Sequence, residues 1–192
     1  DRSWLGSTER SDNFMPNTEL PADCYAVRPS DYSRSGYDRG HLIPSGDRTR
    51  SVLENESTFV MTNIIPQSPS NNREVWRELE EYSRELAFQG KELYLVAGGE
   101  GIAEKIADSQ VVVPEYTWKV ILILDEPNSE ITPQNATTLA AWIPNSEEVM
   151  NTDWQDYIVS VDQVEKNTGY NFFATLPRRI QRQIEKTIGV SD

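Results

Sequence analysis

Two nearby segments decide the fold of this chain: residues 58–65, with the sequence TFVMTNII, and residues 72–89, with the sequence NREVWRELEEYSRELAFQ. The first is rich in β-branched residues and is followed by Pro66, which predicts a strand that ends there. In the second, apolar residues recur at helical spacing and Gly90 follows as a stop signal. The sequence therefore predicts a strand and then an amphipathic helix, whose apolar stripe consists of Val75, Leu79, Tyr82 and Leu86.

Outside these segments the patterns are simpler. Apolar runs predict buried strands at residues 93–97, 117–124 and 139–143, and a last amphipathic helix is expected at 179–188. Residues 1–37 are dense in Pro, Ser, Asp and Gly, which is typical of loop. Because the strands do not alternate regularly with helices, the order of elements predicts an α+β fold rather than a parallel α/β fold.

Length and composition exclude several classes of protein. A chain of 192 residues suits one hydrophobic core, and we expect a single domain over residues 1–192. The single cysteine, Cys24, cannot form an internal disulfide, and one cysteine with one histidine cannot form a Cys/His zinc site. The net charge of −13 argues against a protein that coats polyanions, although five arginines outnumber three acidic residues within 25–50.

Chemistry is concentrated around the only histidine and on one stripe of the predicted helix. His41 ends the sequence YDRGH, and an imidazole with a pKa of about 6.5 can accept a proton from water near neutral pH. At about 100° per residue, a second stripe lies apart from the apolar one. It consists of Asn72, Trp76, Glu80 and Arg84, while Glu74, Glu78, Glu81 and Glu85 are expected on a third face, away from it. An ordinary surface helix with i,i+4 salt pairs is the alternative interpretation.

Three ordered motifs resemble those of a known family. DRGH at 38–41, TNIIPQ at 62–67 and N-x3-W-x3-E-x3-R at 72–84 are similar to the DNA/RNA non-specific endonucleases of the ββα-metal class, and most of all to secreted cyanobacterial members. The resemblance implies a ββα-metal core on a central, mainly antiparallel sheet flanked by helices. Members of the family usually carry a further segment before the Trp-Leu-Gly sequence at 4–6, and we expect this domain to lack it.

The resemblance also implies a role for each site residue. His41 would be the general base, and Asn72 the only direct protein ligand of a single hydrated Mg²⁺, for which Mn²⁺ may substitute. Glu80 would orient water around the ion. The phosphate would be stabilised by Arg10, with Arg39 and Arg84 in support. Less direct roles are expected for three residues: Asn63 and Gln67 would support the site, and Asp38 would position its loop.

The expected function is an endonuclease that cuts DNA and RNA regardless of sequence or sugar and leaves 5′-phosphorylated oligonucleotides. Its partners would be DNA and RNA, with a protein inhibitor as a further possibility. We expect no membrane association, a monomer, and a secreted or periplasmic location. The alternative is a catalytically inactive acidic binding domain of the same fold, which the charge of −13 would suit. The complete set of His41, Asn72, Glu80 and Arg10 favours the enzyme.

Overall fold

A computed structural model describes residues 1–188 and contains eight strands and four α-helices within that range. The strands are β1 (Asp38–His41), β2 (Ile64–Gln67), β3 (Glu92–Glu100), β4 (Glu104–Ile106), β5 (Val111–Val113), β6 (Tyr116–Leu124), β7 (Ala136–Pro144) and β8 (Ile158–Val159). The helices are α1 (Val52–Ser57), α2 (Trp76–Phe88), α3 (Val161–Thr168) and α4 (Arg178–Ile184). This mixture confirms the predicted α+β class.

The central sheet has the strand order β3-β6-β7-β8, and all its neighbours are antiparallel. The predicted runs 93–97, 117–124 and 139–143 all lie within its three long strands. The middle strands β6 and β7 are mostly buried, whereas β3 forms an edge of the sheet and its residues Tyr94, Leu95 and Val96 remain at least 40% exposed. The prediction of a buried strand at 93–97 is therefore wrong in its burial and right in its type.

Helices cover both faces of the sheet. Residues of α2 pack with Ile121 and Ile123 of β6 on one face, while α3 and α4 pack with Val120 and Leu122 on the other. This follows from the strand alternation, which sends successive side chains of β6 to opposite faces. Lys119 has the same parity as Ile121 and therefore points toward α2.

The segment 58–65 differs from its prediction. A 3-10 turn occupies Met61–Asn63, and the strand β2 begins at Ile64 and continues through Pro66 to Gln67. Strand β2 pairs only with β1, so the outer edge of each strand in this two-stranded ribbon makes no hydrogen bonds to a further strand. Because proline has no N–H to donate, it is tolerated in such an edge strand. Pro66 faces Arg39, and its carbonyl accepts a hydrogen bond from the Asn145 amide at 3.0 Å.

The predicted helix 72–89 has two parts. Asn71–Val75 forms a π-helical turn, and the regular helix α2 follows from Trp76 to Phe88. A wide turn of this kind is frequent at functional sites, because it changes the direction of one side chain relative to the rest of the helix. At the other end of the chain α4 ends at Ile184, before the predicted limit of 188.

Candidate active site

A cleft of about 660 Å³ opens between the β1–β2 ribbon, the loop that follows β1, and the exposed side of α2. Six of the predicted site residues line it: Arg10, Arg39, His41, Asn72, Glu80 and Arg84. They come from a loop, a strand, a π-turn and a helix, so only the tertiary fold brings them together. Pro44, Ser45 and Gly46 form the wall that faces the helix.

His41 is buried at the end of β1, where its ring is surrounded largely by aromatic side chains. Its imidazole packs edge-on against Phe59 at a centroid distance of 4.9 Å and lies 5.5 Å from the Phe14 ring. Nε2 is buried without a hydrogen-bond partner among the described residues, and the residue as a whole lines the cleft. The main chain of His41 is fixed by α2, since the Trp76 indole N–H donates to the His41 carbonyl oxygen at 3.2 Å.

This environment favours the neutral imidazole. Burial, reinforced by the nearby Arg10 guanidinium, lowers the pKa of His41 to about 4. The structure thus corrects the expected value of about 6.5, because two aromatic rings replace water around the imidazole. At neutral pH His41 is available to accept a proton.

Asn72 is held by its amide nitrogen, which donates to Asp38 Oδ2 at 2.9 Å. The amide oxygen is thereby left free for the cleft that Asn72 lines. Asp38 in turn receives two hydrogen bonds from Arg73, at 2.6 and 2.7 Å. Burial alone would raise the pKa of Asp38, but the bonds from Arg73 and Asn72 outweigh it and hold the pKa below its ordinary value. Asp38 therefore remains ionised and orients Asn72.

Glu80 lies at the floor of the cleft and is almost completely buried. Its Oε1 has no hydrogen-bond partner in the described part of the chain, and the nearest cation is Lys119, whose Nζ is 3.7 Å away. Burial raises the pKa of Glu80, and the Lys119 ammonium is the largest of the influences that lower it again. Lys119 was not predicted, because its strand reads as a continuous apolar run with one lysine in it.

The three predicted arginines are each supported by a neighbour. Arg10 donates to Asp12 at 2.6 Å and to Ser45 Oγ at 3.0 Å, and its guanidinium lies 4.9 Å from the Phe59 ring centroid. Arg39 lies 4.5 Å from the Phe14 ring centroid, and Arg84 pairs with Asp47 at 2.9 Å. Aromatic stacking and paired carboxylates limit the conformations of these long side chains, so that the cationic groups are already placed for a phosphate.

Asn63 and Gln67 do not line this cleft. The Asn63 side chain bonds to both the N–H and the carbonyl of Ile43, at 3.0 and 2.8 Å, and so fixes the loop after His41. Gln67 is fully buried and donates to Asn71 Oδ1 at 2.9 Å. Gly40 allows this, because a Cβ there would lie 1.8 Å from Gln67 Oε1. The glycine thus accommodates a side chain, not a ligand.

Further residues of the cleft escaped the sequence reasoning. Arg73, Arg77 and Glu81 also line it, and Arg77 pairs with Glu81 at 2.8 Å. The expectation that Glu81 projects away from the site is wrong, since the cleft is wider than one stripe of the helix. Five of the chain's 18 Lys and Arg residues line the cleft, against two of its 31 acidic residues. The lining of the cleft is thus rich in arginine on an acidic protein, and Asp12, Asp38 and Asp47 each hold one of these arginines in an ion pair.

The donors in the cleft suit a hard cation. A neutral amide oxygen on Asn72 and the buried carboxylate of Glu80 are oxygen ligands of the kind that Mg²⁺ and Mn²⁺ bind, directly or through water. A different group of carboxylates, on Asp162, Glu165 and Glu185, has ligand atoms within 4.8 Å of one another and could also hold a metal ion. It belongs to the ends of α3 and α4, which cover the opposite face of the sheet, and so is separate from this cleft.

Comparison with known proteins identifies the family and supports the fold. The sequence profile of the DNA/RNA non-specific endonucleases matches residues 1–179. The chain belongs to this family. It is 50% identical over 188 residues to the protein named Nuclease from Nostoc sp., covering 97% of this chain and 68% of that protein. The family resemblance found in the motifs is thus confirmed, and with it the expectation of an endonuclease-type hydrolase domain.

More distant relatives agree. The chain is 30% identical to the human protein named Nuclease EXOG, mitochondrial, over 187 residues, covering 91% of this chain and 50% of that protein. A structure titled as the EndoG/EndoGI complex, describing a mechanism of EndoG inhibition, matches 91% of this chain and 74% of its own with a TM-score of 0.76 and 25% identity. The chain spans about half the length of the EXOG relatives. In the described range, none of the helices combines the length and the apolar character needed to cross a bilayer.

Proposed function

We propose that this domain is a Mg²⁺-dependent endonuclease that hydrolyses DNA and RNA without preference for sequence or sugar and leaves 5′-phosphorylated oligonucleotides. The observation that carries the proposal is the pairing, in one arginine-lined cleft, of a neutral His41 with an Asn72 whose amide nitrogen is bound to Asp38, so that its amide oxygen is available to a cation. The family's description, which includes both DNA and RNA, supports the breadth of substrates.

Each residue of the cleft has a separate role in the proposed hydrolysis of the phosphodiester bond. His41 accepts the proton of the attacking water, for which the neutral imidazole is required. Arg10, already fixed by Asp12 and Ser45, stabilises the negative charge that develops on the nonbridging phosphate oxygens. Arg39 and Arg84, which line the same cleft, add positive charge there.

Asn72 would hold the cation through its amide oxygen, and Glu80 would accept hydrogen bonds from the water molecules around it. Bound there, Mg²⁺ supplies Lewis acidity to the scissile phosphate and stabilises the departing 3′ oxygen. Asp38 keeps Asn72 turned toward the cleft, and Asn63 holds the loop after His41. Because the contacts involve phosphate and not base edges, no discrimination between sequences is expected.

The test compares wild type with His41→Ala and Asn72→Ala on plasmid DNA and on RNA, with Mg²⁺ and with a chelator. We expect cleavage of both substrates in wild type, its loss with chelator, and a fall of about 10²–10⁴-fold in His41→Ala. Ligation of the products without prior phosphorylation checks the 5′-phosphate. Binding of nucleic acid by wild type without cleavage in Mg²⁺ or Mn²⁺ would instead establish the inactive binding domain.

The proposal extends to partners and location. The solved relative was crystallised as a complex titled for its inhibition, which supports a protein inhibitor as a possible partner of this chain. A monomer that is secreted or periplasmic remains our prediction, although several relatives are named as mitochondrial. Size-exclusion chromatography with light scattering and fractionation of the producing cells check these two points.

A further inference from the structure

Lys119 is the most unusual residue near the cleft. Its side chain is 1% exposed, although lysine is almost never fully buried unless it is paired. It projects from the middle of β6 toward α2, and its Nζ lies 4.2 Å from the centroid of the Trp76 ring and 3.7 Å from Glu80 Oε1. One ammonium group thus contacts two residues of the stripe that faces the cleft.

The charges around this lysine are balanced. Asp47 and Arg84 are the other charged groups that act on both Lys119 and Glu80, and they pair with each other at 2.9 Å. Two cations and two anions therefore share this buried region. Without Lys119, the Glu80 carboxylate would face a low-dielectric interior, with Arg84 already engaged by Asp47.

We propose that Lys119 is a positioning residue of the active site: its ammonium, seated on the Trp76 ring, fixes the Glu80 carboxylate at the floor of the cleft where Glu80 orients the water around the cation. This inference rests on the proposed function. The Trp76 indole N–H also donates to the His41 carbonyl oxygen. Lys119 therefore contacts Glu80 directly and is linked through Trp76 to β1, the strand that carries His41.

The 3.7 Å separation of Nζ and Oε1 suits this role. It is longer than a hydrogen bond, so Lys119 acts on Glu80 as a nearby charge and does not occupy its oxygens. The carboxylate keeps its hydrogen-bonding capacity for water in the cleft. Burial raises the pKa of Glu80 to about 7, and the adjacent Lys119 ammonium opposes that rise.

The test is a double-mutant cycle of Lys119→Met and Glu80→Gln, in which the two changes are made singly and together. Lys119→Met should lower kcat/KM by about tenfold or more, in the range of losses seen for outer residues of metal sites. In the Glu80→Gln background the same change should have little further effect.

Binding of Mn²⁺ in the absence of substrate, followed by the EPR signal of the free ion, gives a readout independent of turnover. Lys119→Met should weaken Mn²⁺ binding, and Ile121→Val, which changes packing on the same face of β6 without a change in charge, should not. If Lys119→Met folds poorly, the double variant can still be compared with Glu80→Gln, because removing both charges avoids an unpaired buried carboxylate.

Several results would overturn the inference. An equal loss of activity from Lys119→Met in both backgrounds would show that Lys119 does not act through Glu80. Unchanged Mn²⁺ binding in Lys119→Met would show a purely structural lysine. Failure of the proposed function is distinct, because it appears as absent cleavage in wild type or as full activity in His41→Ala.

Discussion

The state of His41 can be measured directly because it is the only histidine in the chain. With a pKa of about 4 in the folded protein, the imidazole at pH 5.5 would be about 97% neutral, against about 9% for a solvent-exposed histidine with a pKa of about 6.5. The resonance of its Cε1–H group in an NMR titration should therefore stay at the position of the neutral form until the pH falls below 5.

The same shift links folding to pH. Because the folded-state pKa is lower than that of the unfolded chain, the contribution of His41 to stability is present above pH 6.5 and is lost as the pH falls through 4. The full loss amounts to about 3 kcal/mol, of which about 2 kcal/mol is gone by pH 5. The origin is burial against Phe59 and Phe14, reinforced by Arg10.

The assay is urea unfolding of wild type and His41→Gln at several pH values between 4 and 7. Other groups titrate in both proteins, so the quantity of interest is the difference between their slopes. Wild type should lose about 2 kcal/mol more than the variant between pH 7 and pH 5. A Cε1–H titration centred near pH 6.5, or parallel slopes in the two proteins, would refute the reasoning about burial of the base.

Three further predictions test the surroundings of the base. Asp38→Ala removes the hydrogen bond that orients the Asn72 side chain, so the Mg²⁺ concentration that gives half-maximal activity should rise by about 10–100-fold. An unchanged Mg²⁺ dependence would contradict the orienting role of Asp38. Gly40→Ala places a methyl group against the buried side chain of Gln67 in β2 and should lower the free energy of unfolding by about 1–3 kcal/mol in urea titrations. An unaltered urea midpoint would mean that the β1–β2 ribbon can shift to accommodate the methyl group. Glu78 and Glu85 lie on α2 outside the cleft, and changing both to Gln should raise kcat/KM by about two- to threefold at low salt but not at high salt. The reason is that their repulsion of a polyanion is screened over about 10 Å at 0.1 M salt. A loss of activity at every salt concentration would place them in the site.

Local patterns predicted most of the fold, because the long strands and α2 have apolar residues at the right periods. They failed at residues 58–65, where β-branched composition suggested a strand and tertiary contacts instead produced a 3-10 turn at Met61–Asn63. The Asn63 side chain explains the difference, since it bonds to the backbone of Ile43 and of Thr58. Such a clamp joins distant segments and leaves no periodic signal in the sequence.

The site was predicted in part for the same reason. The family resemblance named six residues that the fold does bring into one cleft, and the roles assigned to them remain predictions. Lys119 could not be predicted, because the sequence does not show whether a lysine side chain is buried or exposed to solvent until its strand is placed against α2. Glu81 was misplaced because a helical wheel shows which residues share a face and not how wide the facing cleft is.

The concentration of arginine in the cleft of an otherwise acidic molecule bears on how the domain leaves DNA after cutting it. A protein that is basic on every side adheres to a polyanion in many orientations and stays on the fragments it produces. Within the described residues this cleft gathers five arginines, and most of the acidic residues lie outside it. Encounters of a polyanion with the acidic surface are therefore expected to be short. The distribution of charge thus favours rapid turnover over retention on the polymer.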